Sequence, residues 1–292
     1  MRFRWFRWVV VAAALWALAP APARAYERSL VGGTQVCLFW DEPELPWTLG
    51  ERGARDVDRA ALEAALQRSF DTWEAVECSH IAFRQEAPSG ARSVGFDEDD
   101  GRDNLILFRS ELCAEVVSRN DPCWDDGDCA NEHDCWAFGD GVIAVTTTSF
   151  RQDTGEILDA DIEFNEGSFL FTVADGAPCA RGETEGCVST DVGNTATHEI
   201  GHLLGLDHSR VPGSTMFASA PLGEVAKRDL STDDIEGLCS IYPAGGRADV
   251  CEEAFGQRRE DGGGGCATAS GLAGLGAVGA ALGLLGWRRR RT

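Results

Sequence analysis

Residues 198–209 read HEIGHLLGLDHS, a stretch that combines three histidines, a glutamate and two glycines. His198 and His202 have the i, i+4 spacing that places two side chains on the same face of a helix, one turn apart. Neutral imidazoles at this spacing can bind one Zn²⁺, at about 2 Å from each nitrogen. Gly205 allows a sharp backbone turn through positive φ, which can bring His208 back as a third ligand. The stretch therefore predicts a zinc site formed by the three histidines.

Glu199 adds a reactive group to this predicted site. Three protein ligands leave a fourth position open to water, which is typical of catalytic rather than structural zinc. Glu199 adjoins His198 without being a predicted ligand, so we expect it to act as a general base toward that water. The short HExxH pattern is only moderately specific, whereas the form extended by Gly205 and His208 is strong. The alternative is a helix whose histidines are merely packed or solvated.

The first 25 residues have the character of a secretory signal peptide. Arginines at positions 2, 4 and 7 precede an apolar run over residues 8–18, and Ala23-Arg24-Ala25 is a small-x-small cleavage site. An N-terminal membrane anchor is the alternative, although the apolar run is short for a membrane span. We therefore expect residues 1–25 to be removed on export.

The other end of the sequence predicts a second targeting segment. A Gly-rich linker over residues 246–265 leads to Cys266, to the uncharged stretch 267–287 and then to four arginines, Arg288–Arg291. The uncharged stretch is long enough to cross a bilayer, and the arginines would hold its end in the cytoplasm. This order of features resembles the C-terminal sorting signals of myxobacterial surface proteins, with a simple tail anchor as the alternative. We expect residues 266–292 to direct the protein to the surface of a Gram-negative bacterium, or to be removed there.

The composition indicates a globular, acidic, exported domain over residues 26–245. Hydrophobic residues make up 43% of the chain, and 48 acidic residues give a formal net charge of −22. Nucleic acids and anionic membrane surfaces are therefore poor partners. Ten of the eleven cysteines lie between Cys37 and Cys251, and in an exported protein an even number favours disulfides. A second, cysteine-ligated zinc site is the alternative, but no CxxC pair supports it.

Two loops are expected to carry some of these disulfides. Cys179 and Cys187 flank a short Gly-rich loop, so a bridge between them is our first expectation. Three cysteines, Cys123, Cys129 and Cys135, lie in an acidic insertion over residues 118–140, and at least one of them must pair outside it. We expect this insertion to be a solvated loop held by disulfides. Calcium bound by its aspartates Asp125, Asp126 and Asp128 is the alternative, although the spacing matches no EF-hand.

Hydrophobic periodicity predicts a mixture of helices and strands. Helices are expected over residues 56–76 with Trp73 as a core anchor, over 192–204 with Thr190 or Asp191 as N-cap, and over 230–242 with a Ser231/Thr232 cap. Strands are expected over residues 35–40, 81–84, 104–108, 142–150 and 157–165. Two strands thus precede a disulfide-bearing connection to the helix that carries the predicted zinc ligands.

With Met216 eight residues after His208, the HEIGHLLGLDHS stretch resembles the metzincin clan of zinc peptidases, and Ser209 resembles its matrixin branch. The segments DADIEFN and LSTDDIEGLCSIYP also resemble parts of bacterial matrixin-like domains. The resemblance implies an α+β fold of the metzincin type. Its features would be a twisted mixed β-sheet with an antiparallel edge strand, an active-site helix, a C-terminal helix, and two lobes flanking a zinc cleft.

The resemblance also implies roles for individual residues. His198, His202 and His208 would hold catalytic Zn²⁺, Glu199 would be the general base, and Met216 would form an apolar floor beneath the metal. The strand over 142–150 would be an edge strand that pairs with an extended substrate; an edge strand without a substrate role is the alternative. Structural Ca²⁺ is a further possibility, for which Asp153, Asp159 and Asp161 are candidates. Ala218 replaces a proline that commonly shapes the specificity pocket, so side-chain preference does not follow from the resemblance.

The sequence thus predicts an exported, monomeric zinc endopeptidase in which Glu199 is the general base. Its partners would be a protein or peptide substrate and the sorting machinery or membrane at its C-terminal segment. The alternative from another functional class is a non-catalytic surface or adhesion module stabilised by zinc. The presence of Glu199 argues against that alternative, because a structural zinc site needs no base.

Overall fold

In this computed structural model, the structure describes residues 25–96, 104–248, 251 and 275–283. The predicted signal peptide lies outside the described residues apart from Ala25, as do most of the predicted linker and sorting segment. The helices are α1 (Arg59–Glu74), α2 (Cys113–Val116), α3 (Cys123–Asp126), α4 (Cys129–His133), α5 (Val192–Leu203) and α6 (Thr232–Ile241). The strands are β1 (Glu27–Arg28), β2 (Glu44–Leu49), β3 (Ala82–Gln85), β4 (Leu105–Arg109), β5 (Val142–Arg151), β6 (Ile157–Asn165), β7 (Phe171–Thr172), β8 (Thr190–Asp191), β9 (Leu206–Asp207) and β10 (Leu275–Gly283).

The fold is α+β and centres on a six-stranded mixed sheet, as predicted. The strand order is β10-β5-β6-β4-β2-β3, and the pairs from β6 to β3 are parallel. Strand β5 runs antiparallel to β6, with Thr146 opposite Ile162. Its β-branched sequence VIAVTTTSFR suits a pleated, largely buried surface. The sheet therefore combines a parallel half with an antiparallel half, and β5 lies in the latter.

The outer edge of β5 is covered by β10. The two strands are antiparallel, with Leu275 opposite Arg151 and Gly283 opposite Val142. Residues 142–150 are thus not at the edge of the sheet, which corrects the expectation from sequence. Within the uncharged stretch 267–287, expected to be able to cross a bilayer, residues 275–283 form a strand, since their glycines disfavour a helix and β5 offers unpaired backbone groups. Among the described residues, no helix has the length and apolar character needed to span a membrane.

Helices α1 and α5 lie against each other beside the sheet and form the core with it. On α1, Phe70 stacks on Trp47 of β2, with ring centroids 4.5 Å apart. Trp73 is fully buried, as expected of a core anchor, and its indole Nε1 donates to the Thr197 carbonyl of α5 at 2.8 Å. Since a buried indole N–H needs a partner, this bond fixes the position of α5 relative to α1.

Ten cysteines form five disulfides, which confirms the interpretation from composition. The pairs are Cys37–Cys251, Cys78–Cys239, Cys113–Cys135, Cys123–Cys129 and Cys179–Cys187. The expected bridge across the Gly-rich loop is present, and Cys135 pairs outside its insertion as required. Because the Cys37 and Cys78 bridges join residues more than 160 positions apart, they constrain the unfolded chain strongly.

The acidic insertion is attached to the sheet by charged groups. Asp134 accepts hydrogen bonds from Arg109 Nη1 and Arg92 Nη1, each at 2.8 Å, and from Arg52 Nη2 at 2.9 Å. Arg109 is fully buried, and its Nε donates to Glu163 of β6 at 2.6 Å. The insertion contains two short helices, α3 and α4, where a loop was expected, and α2 directly precedes it. Its disulfides hold these single turns, which are too short to be stable alone.

Two other expectations differ from the structure. Residues 35–40 make only isolated bridges, at Cys37 and Phe39, rather than a continuous strand. Strand β2 was not expected from the sequence, and it contains Pro46, which lacks a backbone N–H and so would argue against a central strand. In the structure, Pro46 stands opposite Arg84 of β3, and its carbonyl accepts from Asn104 Nδ2 at 2.7 Å. The buried side chains around it, including Trp47, offset the missing donor.

Candidate metal centre

The helix that carries the predicted ligands is fixed at its N-terminal end by a buried aspartate. Asp191 is the N-cap of α5, and its Oδ1 accepts from Asn194 N at 2.7 Å. Arg228 donates from Nε to Asp191 Oδ1 at 2.8 Å and from Nη2 to Oδ2 at 2.5 Å. An N-cap carboxylate satisfies backbone N–H groups that have no partner within the helix. This confirms one of the two expected caps and adds a guanidinium that holds it in place.

The other end of α5 is closed by two aromatic side chains and a glycine. Trp40 Nε1 donates to the Leu203 carbonyl at 2.8 Å, and Tyr242 Oη donates to the Leu204 carbonyl at 2.9 Å. Gly205 has φ +87°, and a Cβ at this position would lie 2.7 Å from the Leu38 carbonyl oxygen. A side chain is excluded both by the left-handed backbone and by this contact. The predicted turn toward His208 therefore requires glycine.

The structure brings His198, His202 and His208 together. His202 Nε2 lies 3.2 Å from His198 Nε2 and 3.3 Å from His208 Nε2. Two ligands of a tetrahedral Zn²⁺, each about 2.1 Å from the ion, are about 3.4 Å apart. Both distances from His202 Nε2 are thus close to the separation that a shared zinc ion requires, and the three ligand nitrogens lie within 4.8 Å of one another.

The hydrogen bonds of the imidazoles determine which ring nitrogen of each histidine can bind a metal. His198 Nδ1 lies 2.6 Å from the Thr215 carbonyl oxygen, and His202 Nδ1 lies 2.8 Å from the Leu206 carbonyl oxygen. A carbonyl only accepts, so each Nδ1 carries the proton and each Nε2 keeps its lone pair. Burial lowers the pKa of His202 to about 3, with repulsion from His208 adding to the effect. The rings are therefore neutral at pH 7, as zinc ligands must be.

Glu199 is a fully buried carboxyl group next to the first of these histidines. Its Oε2 accepts from Thr146 Oγ1 of β5 at 2.8 Å, while its Oε1 has no hydrogen-bond partner among the described residues. Burial raises the pKa of Glu199 to about 8, and the Thr146 hydrogen bond opposes this rise. A buried polar atom without a partner is unusual in a native protein and is common where a ligand or water binds. The donor set and the free Oε1 fit a catalytic zinc site.

Met216 packs against α5 at Gly201, where only glycine leaves room for its side chain. The Met216 side chain is buried, and a Cβ at Gly201 would lie 2.1 Å from its Sδ and 3.1 Å from Trp73 Cζ2. The sequence predicted an apolar role for Met216 but not the role of Gly201. A glycine in the interior of a helix lowers stability by about 1 kcal/mol relative to alanine. Its presence within the predicted helix was therefore the sequence feature that could have indicated close packing at this position.

Asp234 of α6 holds the segment around Met216 and was not singled out from the sequence. Its Oδ2 accepts from Thr215 N at 2.8 Å and from Ser231 N at 2.8 Å, and its Oδ1 accepts from Met216 N at 3.0 Å. With the Ser231 side chain it forms a capping box at the start of α6. The sequence SxxD gave this cap. The contact with residues 215–216 depends on tertiary structure and could not be predicted from the sequence.

Lys227, the only lysine of the chain, also contributes to the site, and the sequence did not predict this. Its ammonium is buried, donates to the Phe217 carbonyl and lies 3.5 Å from His198 Nδ1. Burial lowers the pKa of Lys227 to about 8, and the nearby carboxyl group of Glu199 is among those that oppose the shift. A cation at this position disfavours protonation of the neighbouring histidines.

The calcium candidates do not form a complete site. Asp159 and Asp161 are buried on β6 with their carboxyl groups in contact, and Asp161 also accepts from Leu105 N at 2.7 Å. Asp153 is exposed in the turn after β5. Within the described part of the chain, neither these three residues nor Asp125, Asp126 and Asp128 form a converging group of ligands. A second group there, Asp121, Cys123 and His133, includes a disulfide-bonded sulfur and so offers no thiolate. Calcium therefore has no support from the structure.

Comparison with known proteins finds similarity to a peptidase family over the segment that contains the three histidines. Residues 125–243 match the Matrixin family of peptidases. Metalloendoproteinase 2-MMP of Arabidopsis thaliana is 36% identical over 110 residues, which are 36% of this chain and 25% of that protein. Matrix metalloproteinase-2 of Drosophila melanogaster is 41% identical over 203 residues, or 70% of this chain and 21% of that protein.

A third relative shows similar coverage. Macrophage metalloelastase of Oryctolagus cuniculus is 26% identical over 187 residues, which are 64% of this chain and 30% of that protein. The chain thus spans between a fifth and a third of the length of these three relatives. The matched segment contains α5, the three histidines and Met216. Together, the family match and the relatives support a matrixin-like metzincin domain.

Proposed function

We propose that this protein is an exported zinc endopeptidase whose metal is held by His198, His202 and His208. The observation that carries the proposal is the buried Glu199, whose Oε1 has no partner among the described residues and which adjoins three converged, neutral imidazoles. A purely structural zinc site has no use for such a carboxylate. Zinc at this position supplies Lewis-acid chemistry, which polarises a peptide carbonyl and makes water more acidic.

Residues around the metal centre would transfer protons and orient the reacting groups. Glu199 accepts the proton of the attacking water through Oε1 and returns it to the departing amine. Thr146 holds Oε2 and thereby aims Oε1. The Thr215 and Leu206 carbonyls hold the rings of His198 and His202 in the tautomer that binds metal.

An extended polypeptide would bind along β5. Backbone pairing with a strand gives affinity with little dependence on side chains, which suits a peptidase. Strand β10 pairs with the same backbone groups of β5, so a substrate would have to replace it. The five disulfides support export, because such bonds persist in oxidising compartments.

The test uses the full chain, produced in an oxidising compartment and loaded with zinc. Wild type and Glu199→Gln are compared for bound zinc and for hydrolysis of unfolded protein and quenched peptides. We expect about one zinc per chain in both, and a loss of at least about 10²-fold in kcat for Glu199→Gln, since general bases contribute about 10²–10⁴-fold. Wild type that binds zinc and cleaves no peptide in a diverse library would instead support the non-catalytic surface module.

A further inference from the structure

A groove lies between the loop closed by Cys179–Cys187 and the segment around Leu222. Its volume is about 500 Å³, and its walls include Ala180, Val188, Pro221 and Leu222. The Leu222 side chain is 41% exposed although it is a large aliphatic group. Arg181 and Glu183 stand at the rim. The groove thus has apolar walls and a polar rim, the usual composition of a site for an apolar side chain.

The two walls of the groove are held together. Gly223 N donates to the Ser189 carbonyl oxygen at 2.7 Å. Gly223 has φ +81°, and a Cβ there would lie 2.4 Å from Pro178 Cβ. The Cys179–Cys187 bridge closes the loop from the other side. The groove is therefore formed before any ligand binds, which lowers the entropic cost of binding.

The groove adjoins a small crevice that extends toward the helix of the candidate metal centre. A narrow crevice shares Ser189, Pro221 and Leu222 with the groove and reaches Ile143 of β5 and Thr195 of α5. Thr195 is three residues before His198, one turn of the same helix. The groove therefore lies on the side of the metal centre where Ile143 and Thr195 are.

The direction of β5 decides which part of a bound peptide would lie near the groove. Thr146 contacts Glu199, and Ile143 lies toward the N-terminal end of β5 from there. A chain antiparallel to β5 runs toward Val142, as β10 does. In this orientation, residues that follow the cleaved bond come next to Ile143.

We propose that this groove binds an apolar side chain of the substrate, two to four residues after the cleaved bond. The inference rests on the proposed peptidase function and adds a substrate preference to it. The occupant is the carboxyl-side part of an extended polypeptide, because that part runs toward the Ile143 end of β5, where the groove lies, and the walls of the groove are apolar. Cleavage would then favour polypeptides with an aliphatic or aromatic residue at that position.

The test measures kcat/KM of the zinc-loaded full chain on a peptide series. The residue directly after the cleaved bond stays constant, and each of the next three positions carries Leu or Ser in turn. Leu222→Ser removes an apolar wall, and Val225→Ser is the matched control, since Val225 is similarly exposed on the same segment but does not line the groove. We expect wild type and the control to prefer Leu by about 10-fold at one position, and Leu222→Ser to lose that preference while it cleaves the Ser peptide as before.

The other outcomes separate the two proposals. Cleavage with no preference for Leu at any of the three positions overturns the groove inference and leaves the peptidase function intact. The groove inference is also overturned if thermal denaturation shows that Leu222→Ser is folded and its kcat/KM is reduced by the same factor for every peptide. If zinc-loaded wild type cleaves no peptide, the peptidase function fails and the groove inference fails with it.

Discussion

Thr146 of β5 holds Glu199 of α5 across 53 residues of sequence. Its hydroxyl lies 2.8 Å from Glu199 Oε2 and 3.1 Å from the Glu199 carbonyl oxygen, so one donor is shared between the side chain and the backbone of the same residue. Both residues are fully buried. The sheet therefore positions the candidate base directly through Thr146.

Thr146→Val should raise the pKa of Glu199, because it keeps the β-branched shape and removes a hydrogen bond that stabilises the charged carboxylate. A base must be ionised to act, so the acidic limb of the pH dependence of kcat/KM should move to higher pH. Activity at pH 7 should fall about 10-fold. The measurement is the pH–rate profile of the zinc-loaded protein on a quenched peptide.

Thr146→Ser is the control for this prediction, since serine retains the hydroxyl. Its profile should overlay that of wild type. If the valine variant lost activity equally at every pH, the hydroxyl would have only a structural role and the assignment of a positioning role to Thr146 would be wrong.

Gly201→Ala should destabilise the protein by about 2 kcal/mol, because overpacking in a buried site costs about 1–3 kcal/mol. The new methyl group would meet Met216 Sδ at 2.1 Å and Trp73 Cζ2 at 3.1 Å, both of them buried. Chemical denaturation of the metal-free protein measures the effect. Gly32→Ala is the matched control, as a Cβ there would meet nothing within 4 Å. An unchanged stability for Gly201→Ala would show that Met216 can move away at no cost.

Asp234→Asn should weaken both folding and zinc binding. An amide has one acceptor oxygen, so at least one of the buried N–H groups of Thr215, Met216 and Ser231 loses its partner, at about 1–3 kcal/mol. The Thr215 carbonyl orients His198, and loss of such support costs about 10-fold or more in metal affinity. Denaturation and zinc titration against a chelating dye measure the two effects.

Glu236→Gln serves as the control for Asp234, because Glu236 is exposed on the same helix. It should change neither quantity. If Asp234→Asn lowered stability and left zinc affinity as in wild type, the Met216 segment would not be what positions His198.

Helices and strands could be predicted where the local sequence favours the same structure that their position in the fold requires. Strands β5 and β6 were expected within one residue of their ends, because their β-branched and aromatic residues match a buried pleated surface. Strand β2 was missed, and its Pro46 contradicts the pattern locally, so that only its neighbours β3 and β4 make a strand there. The sequence also did not predict that β10 pairs with β5, since the residues of a strand do not specify which segment pairs with its edge.

The candidate site divides in a similar way. The three histidines and Glu199 lie within one helix and the turn after it, so their spacing alone predicted their convergence. The residues that support them come from elsewhere in the chain, Thr146 from β5 and Asp234 from α6. Contacts of this kind depend on sheet register and helix packing, which local patterns do not specify.

The buried imidazoles should make the metal-free protein sensitive to acid, and His202 gives the clearest case. Its pKa is about 3 in the folded protein, against about 6.5 in the unfolded chain. Above pH 6.5 the ring is neutral in both states and contributes nothing to the pH dependence. Between pH 6.5 and 3 only the unfolded state takes up the proton, so the free energy of unfolding falls as the pH is lowered.

The effect can be isolated by comparison with His202→Gln, because other buried groups also titrate in this range. From pH 7.5 to pH 5, the free energy of unfolding of wild type should fall by about 2 kcal/mol more than that of the variant. Urea denaturation of both proteins without metal, at the two pH values, gives this difference. Equal losses in the two proteins would mean that His202 is protonated in the folded state at pH 5, and that its ring is not the buried neutral ligand inferred from its bond to the Leu206 carbonyl.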